Sequence, residues 1–142
     1  MEPRITLITL GVADLVRARA FYETGLGWPV SSASVAGEVV FLRLEGVVLA
    51  LYDAGKLAKD LGRKLDSGTA RFTLAHNARS RDEVDRIFRR AEGAGARTLQ
   101  PPQATSWGGY SGHFADPEGH VWEIAWNPHF SFAADGSIVI PE

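Results

Sequence analysis

Apolar residues recur along this chain with two periods, one typical of strands and one typical of helices. Residues 5–12 form an apolar run rich in β-branched side chains, which predicts a mostly buried strand. Asp14 then precedes apolar residues at helical spacing, so we expect a helix with Asp14 as its N-cap. Gly25 and Gly27 follow the last of these residues and predict the end of that helix.

Three strand-like segments complete the first part of the chain. Residues 30–35 are small and polar or β-branched, and residues 38–44 and 47–52 are more clearly apolar. The Glu-Gly pair at residues 45–46 lies between the last two and predicts a hairpin. The order of predicted elements is therefore strand, helix and three strands.

The second part of the chain repeats this order. Residues 69–76 predict a strand, and Ser80 with Glu83 fits a capping box at the start of a helix that ends near Gly93. Three further strands are predicted over residues 97–100, 110–115 and 120–126, with the prolines at 101–102 closing the first of them. Asp, Pro and Gly at positions 116, 117 and 119 favour a tight turn before the last strand.

This repetition predicts one domain built from two copies of a module. Module one covers about residues 4–53, module two about residues 69–128, and a C-terminal arm residues 129–142. Each module alone would leave one face of a small sheet bare, so the two must pack or pair. Residues 54–68 crowd charges around leucines spaced four apart, which indicates a linker with a short amphipathic helix. The alternative is a mobile lid over a binding site.

Composition excludes several classes of function. The chain has 142 residues, a net charge of −2 and no cysteine, so disulfides and thiolate nucleophiles are absent and no basic field attracts nucleic acid. No apolar run is long enough to span a membrane, and the first residues lack the layout of a signal peptide. We expect a cytoplasmic protein without a nucleic-acid or membrane partner.

Four segments resemble a known superfamily. They are residues 11–28, the helix over residues 83–95, the Trp-Gly-Gly-Tyr-Ser-Gly segment at 107–112, and the Asp-Pro-Glu-Gly turn with its flanks at 114–124. Residues 5–128 as a whole resemble the vicinal oxygen chelate superfamily, the glyoxalase/bleomycin-resistance/extradiol-dioxygenase group. The resemblance implies an α+β fold in which paired βαβββ modules form a curved eight-stranded mixed sheet around a cleft. It also implies a homodimer.

The resemblance raises the question of a metal site. Metal-dependent members of the superfamily place His, Glu or Gln ligands at four matching positions, two in each module. The repeat assigns these positions to Leu7, Ala50, Thr73 and Glu123, so the quartet contains one good ligand. We therefore expect no metal and no other cofactor. The alternative is a divalent metal held by His76, His113 and Glu123 after a shift of strand register.

Side-chain alternation over residues 121–126 identifies Glu123 as the candidate catalytic residue. Trp122, Ile124 and Trp126 share a bulky apolar face, which places Glu123 on the other, concave face, where it is either a solvated carboxylate or a general acid/base. Candidate ligand-binding residues are Trp107, Tyr110, His113, Phe41, Tyr52, Phe72 and Trp28, each of which is alternatively a core residue. His120 and His129 are expected at the surface.

Three hypotheses of function remain open. The first is a metal-independent binding protein that holds a hydrophobic or aromatic small molecule in a cleft. The second is a glyoxalase-like isomerase or lyase that uses Glu123 as acid/base, with or without a divalent metal. The third is an interaction module whose cleft has become a filled core. The ligand count at the four matching positions favours the first.

Overall fold

The first unit of the fold is a three-stranded sheet with one helix packed on it. The computed structural model describes residues 7–60, 65 and 73–139, which fall into two compact units that divide at residues 69 and 70. In the first unit β1 (Leu7–Val12) pairs in parallel with β3 (Val48–Asp53), and β2 (Val39–Arg43) pairs with β3 in antiparallel fashion. The strand order is β1-β3-β2.

The helix of the first unit begins at the predicted cap. The Asp14 carboxylate accepts a hydrogen bond from the N–H of Arg17 at 2.9 Å, ahead of α1 (Leu15–Arg19). The chain continues as a π-helical segment, Ala20–Gly25, and Gly27 takes a left-handed backbone with φ +77°. Side chains from both segments and from one face of the sheet form the core of this unit: Ala18, Phe21, Tyr22, Leu10, Val12, Val40, Leu42, Leu49 and Leu51.

The prediction of a strand over residues 30–35 is wrong. This segment makes two isolated bridges, Val30 with Leu42 and Val35 with Val39, and otherwise turns. Its serines shape the turn, because the N–H of Ser34 donates to the Ser31 carbonyl. They also join it to β2, since the N–H of Ser31 donates to the Phe41 carbonyl and the Ser34 hydroxyl accepts from the Phe41 N–H.

A short helix, α2 (Ala54–Asp60), follows β3 directly. Asp53 accepts a hydrogen bond from the N–H of Lys56 at its start, and the Tyr52 hydroxyl donates to Asp60 at its end, at 2.9 and 2.7 Å. A Cβ added to Gly11 would lie 3.1 Å from a methyl carbon of Leu57, so α2 lies over the face of the sheet that carries Gly11 and Tyr52. This is the amphipathic helix predicted for residues 54–68.

The second unit is a four-stranded sheet with a longer helix. The strands are β4 (Leu74–Asn77), β5 (Arg97–Ala104), β6 (Tyr110–Ala115) and β7 (Val121–Trp126), in the order β4-β7-β6-β5. The β4–β7 pair is parallel and the others are antiparallel. The helix α3 (Arg81–Gly93) begins at Ser80, whose hydroxyl accepts from the N–H of Glu83 at 3.1 Å.

One turn in this unit follows the sequence prediction, and one strand does not. Gly119 closes the turn before β7 by donating its N–H to the Asp116 carbonyl at 2.9 Å, and the arm forms a hairpin of β8 (Ser131–Phe132) and β9 (Ile138–Val139). The two prolines do not end β5, which runs on to Ala104. They instead coincide with irregular pairing between Gln100 and Gln103, because proline has no N–H for the ladder.

The architecture is mixed α+β, as predicted, but the sheets are separate. Within the described ranges the strands form sheets of three, four and two strands, and not the single curved sheet of eight that the resemblance implied. No helix in these ranges is long and apolar enough to cross a bilayer.

Candidate ligand site on the second sheet

The helix α3 covers one face of the four-stranded sheet. The rings of Phe88 and Phe114 meet edge to face with their centroids 5.6 Å apart, and Trp122 and Ile124 are buried on the same face. Because side chains alternate along a strand, the residues between these point away from α3. We call that second surface the distal face, and it carries Ser111, His113, Val121, Glu123 and Ala125.

His113 and Glu123 lie side by side on the distal face. They are register partners on β6 and β7, so their side chains project in the same direction. His113 Nε2 is 3.9 Å from Glu123 Oε1, and each side chain is 31% exposed. The sequence prediction named both residues, and the structure brings them together as a partly accessible pair of an imidazole and a carboxylate.

The pair stands within a patch of uncharged polar side chains. Gln100 is the register partner of His113 on the outer strand β5, and Gln103 is the partner of Ser111. Asn77 on β4 pairs with Ala125, beside Glu123 in the sheet. Sequence reasoning missed the two glutamines and Asn77 as site residues, because the irregular register of β5 and the parallel pairing of β4 are set by tertiary contacts. Ser111 could be found from its spacing of two residues from His113.

The residues at the family's metal positions do not fit a divalent ion. Leu7 and Ala50 carry no donor atom, and Thr73 carries only a hydroxyl. No group of three or more His, Cys, Asp or Glu that could hold a metal ion is found in the part of the chain that the structure describes. The alternative set also fails in this register: His76 pairs with Ile124 and so lies on the α3 face, opposite to Glu123.

Tyr110 lies on the α3 side of the sheet and not beside His113. Its hydroxyl donates to Asp85 at 2.9 Å, and the Arg81 guanidinium stands 5.7 Å from its ring centre and 5.3 Å from that of Trp126. Burial raises the pKa of Tyr110, and the hydrogen bond to Asp85 raises it further. In this unit Tyr110 joins helix to sheet, which is the core alternative considered from the sequence.

Trp107 is an exposed aromatic side chain on the turn before β6. The turn is closed by hydrogen bonds between Thr105 and the two glycines, and Gly108 has φ +89°. The indole lies directly against Gly109, where a Cβ would clash with it. Trp107 is 43% exposed, so part of its ring is available to a ligand.

The remaining aromatic candidates belong to the first unit. Trp28 packs against Tyr22 with ring centres 5.3 Å apart, and Phe41 is half-buried beside its partner Ala50. Tyr52 is engaged with Asp60; that hydrogen bond, helped by desolvation, raises the pKa of Tyr52 to about 12. Phe72 lies outside the described residues.

His120 is not the free surface residue that the sequence suggested. Its Nδ1 lies 3.1 Å from Asp116 Oδ2, and its side chain is only 16% exposed. The other Asp116 oxygen accepts from the N–H groups of Glu118 and His120 at 3.0 and 2.8 Å. The Asp116 carboxylate is fully buried and organises the turn before β7.

Comparison with known proteins shows which family the chain resembles. The family model of the Glyoxalase/Bleomycin resistance protein/Dioxygenase superfamily matches residues 4–124. A glyoxalase-related enzyme from Fulvimarina pelagi is 37% identical, with a TM-score of 0.90 and 99% of both chains covered. A glyoxalase/bleomycin resistance protein/dioxygenase from Nocardioides is 27% identical, with a TM-score of 0.73, and covers 89% of this chain and 84% of its own.

A more distant relative shares the fold alone. Lactoylglutathione lyase from Agrobacterium tumefaciens is 23% identical, with a TM-score of 0.70, and the match covers 88% of this chain and 94% of the lyase. No curated protein matches the chain. The match of the family model over residues 4–124 and the 37% identical relative identify this chain as a member of the glyoxalase/bleomycin resistance protein/dioxygenase superfamily.

Proposed function

We propose that this chain binds a small molecule on the distal face of its second sheet, without a resident metal. The observation that carries the proposal is the pair of His113 and Glu123, 3.9 Å apart and each 31% exposed. Both groups can be reached from solvent, and a carboxylate beside an imidazole offers hydrogen-bond partners to a polar group of a ligand.

The surroundings of the pair favour a binding site over a filled core. Ser111 and Ala125, one row away on the same strands, are 7% and 6% exposed, whereas His113 and Glu123 keep about a third of their surface. His113 and Glu123 are thus accessible, as are their neighbours Ala75 and Gln100 in the same row. A face that served only as packing would bury apolar side chains at these positions.

Metal independence is supported by the donor set. On the distal face this row runs from Ala75 through Glu123 and His113 to the neutral amide of Gln100, so among the described residues it holds only two strong metal ligands, one carboxylate and one imidazole. A stable divalent site with an open position needs three or four. The proposed site therefore works through hydrogen bonds and contact area rather than Lewis-acid chemistry.

The body of the ligand is proposed to be hydrophobic or aromatic. Trp107, exposed on the turn ahead of β6, offers a flat apolar surface. Rigid aromatic surfaces beside a few fixed polar groups are typical of small-molecule sites.

A second candidate function is an isomerase or lyase in which Glu123 acts as acid/base. The favouring observation is again the neighbouring imidazole, since a carboxylate and an imidazole at 3.9 Å can take and return a proton at adjacent atoms of a substrate. The Fulvimarina pelagi relative is described as a glyoxalase-related enzyme. This candidate uses the same two residues and the same face.

The proposal includes an assembly. The helix α1 packs on one face of the first sheet and α3 on one face of the second, and the family fold combines such modules into a curved eight-stranded sheet around a cleft. We propose that this chain does the same and works as a homodimer in the cytoplasm. Sedimentation equilibrium of the purified chain tests the dimer, and a monomer at micromolar concentration would contradict it.

The test of the binding proposal is an NMR screen with site variants. A library of uncharged aromatic and aliphatic small molecules is added to ¹⁵N-labelled protein, and divalent ions are added in a separate series. We expect hits whose shifts centre on β6 and β7 and whose affinity falls at least about tenfold in Glu123→Gln, because a hydrogen bond to a charged group is lost. Glu45→Gln, on the exposed hairpin turn of the first unit, is the matched control. Hits whose affinity is unchanged in Glu123→Gln would refute the site. Stoichiometric binding of a divalent ion would refute metal independence.

A further inference from the structure

The gap between His113 and Glu123 has a specific size. At 3.9 Å, Nε2 and Oε1 are too far apart for a direct hydrogen bond, whose length is about 2.7–3.2 Å. One oxygen atom placed about 2.8 Å from each would fit between them with an angle near 90°. The pair is therefore spaced to hold a third atom rather than to bond to each other.

The chemistry of the two groups restricts that third atom. Glu123 as a carboxylate only accepts hydrogen bonds, and His113 presents Nε2 as a donor when that nitrogen carries its proton. With the proton on Nε2, the bridging atom donates to Glu123 and accepts from His113. A hydroxyl does both, whereas a carbonyl, an ether or a carboxylate only accepts and an ammonium only donates.

The neighbouring side chains fit an uncharged ligand. Gln100 lies beside His113 in the sheet, and Ser111 and Gln103 form the next row. Amides and hydroxyls donate and accept but carry no charge. The negative charge of Glu123 disfavours a carboxylate ligand, and an ammonium cannot accept a hydrogen bond from a protonated His113 Nε2.

We infer that the ligand is an uncharged small molecule that presents a hydroxyl group to His113 and Glu123. This inference rests on the proposed function and names the functional group that the site recognises. The hydroxyl oxygen accepts from His113 Nε2, and its proton points to Glu123 Oε1. The apolar body of the ligand extends from this anchor across the distal face.

Matched pairs of probes test the inference. Phenol is compared with anisole, benzyl alcohol with benzyl methyl ether, and cyclohexanol with cyclohexyl methyl ether, while benzoate and benzylammonium are the charged probes. Dissociation constants are measured by NMR titration of the full-length wild-type protein and of the Glu123→Gln, His113→Gln and Glu45→Gln variants. Circular dichroism of each variant checks that it is folded.

The expected result is a preference for the hydroxyl member of each pair of about tenfold or more in the wild type, because the ether leaves the carboxylate without its donor. The preference falls to about threefold or less in Glu123→Gln and in His113→Gln, and is unchanged in Glu45→Gln. Glu123→Gln replaces the charged acceptor and His113→Gln replaces the imidazole donor, each by a neutral amide. Because the two variants weaken opposite halves of the bridge, the inference stays testable if one of them does not fold.

Two kinds of result would overturn the inference, and they are distinguishable. If the ethers or the charged probes bind as tightly as the alcohols with shifts on the same face, the hydroxyl anchor is wrong and the proposed function stands. If no probe at millimolar concentration shifts the resonances of His113 and Glu123, the hydroxyl anchor and the proposed binding site both fail.

Discussion

Gly112 marks the closest approach of backbone and helix in the second unit. A Cβ built on it would lie 2.7 Å from the Pro102 nitrogen and 2.8 Å from Cε2 of Phe88. Real Cβ contacts of this length do not occur, so a methyl group here must displace the β5 backbone or the Phe88 ring. Because residue 112 is a glycine, β5 and α3 can both pack closely against β6. This packing holds the neighbouring residue His113 in position.

Replacing Gly112 by alanine should therefore destabilise the fold. We expect Gly112→Ala to lower the free energy of unfolding by about 1–3 kcal/mol, the usual effect of overpacking. Gly93→Ala, at the end of α3 with open space around the added methyl, should be neutral or stabilising. Urea unfolding of both variants checks this, and equal losses in the two would contradict the packing argument.

The buried Asp116 carboxylate leads to a second prediction. It accepts from two backbone N–H groups and lies against His120, so its removal leaves buried donors without partners. We expect Asp116→Ala to lower the unfolding free energy by about 2–4 kcal/mol. Asp135→Ala removes a similar turn carboxylate, bonded to Ser137 in the exposed arm, and should have a clearly smaller effect. Thermal unfolding compares the two variants, and similar shifts would mean that burial is not the cause.

The candidate site was only partly accessible to sequence reasoning. Alternation placed Glu123 on the face opposite to Trp122, and the structure agrees, because a period of two is fixed within one strand. The same alternation places the side chains of Tyr110 and His113 on opposite faces of the sheet, because the two residues are three positions apart. The involvement of Tyr110 with Asp85 and Arg81 depends on how α3 crosses the sheet, which no local pattern encodes.

The short helix α2 is attached to the first unit mainly through polar contacts. Three polar contacts join it to the first sheet or to the segment before it: Tyr52 with Asp60, Lys56 with Glu38, and its own start with Asp53. Leu57 contributes an apolar contact near Gly11. The helix is held against the face that carries Tyr52 mainly by groups that titrate or respond to salt.

Stability should consequently decline at high pH through Tyr52. Its pKa is raised to about 12 in the folded chain, above the ordinary value of about 10. Because the pKa is raised, the stabilisation of the fold by the Tyr52 hydroxyl is complete below about pH 10. It is lost as the pH rises toward 12. We predict that Tyr52→Phe is less stable than wild type at about pH 9 and that this difference shrinks at about pH 11.

Urea unfolding at the two pH values measures the Tyr52 contribution. Glu45→Gln, exposed on the hairpin turn of the first unit, serves as the control for alkaline effects elsewhere, because it leaves the hydrogen bond between Tyr52 and Asp60 in place. A difference between wild type and Tyr52→Phe that stays constant over this pH range would contradict the assignment.

Most elements could be predicted because they carry local signals. The caps at Asp14 and Ser80 and the turn at Gly119 are set by side chains within four residues, and all three form as expected. The predictions were wrong where the structure of a segment depends on the strand beside it. Residues 30–35 have strand-like composition but meet only isolated partners, and β5 continues past two prolines because β6 lies beside it.

The complete chain combines a repeated scaffold with one asymmetric site. The first unit has three strands where the second has four, and the face that bears His113 and Glu123 in the second corresponds to Phe41 and Ala50 in the first. Sequence motifs were sufficient to identify the family. The family's range of activities leaves the function to the side chains on these faces.

The measurement that tests the central claim most directly is calorimetric titration of the tightest hit from the NMR screen, in the presence and absence of EDTA. The account predicts the same dissociation constant with and without the chelator, and an increase of about tenfold or more in Glu123→Gln. Binding that disappears with EDTA, or that is unchanged in Glu123→Gln, would contradict a metal-independent site at His113 and Glu123.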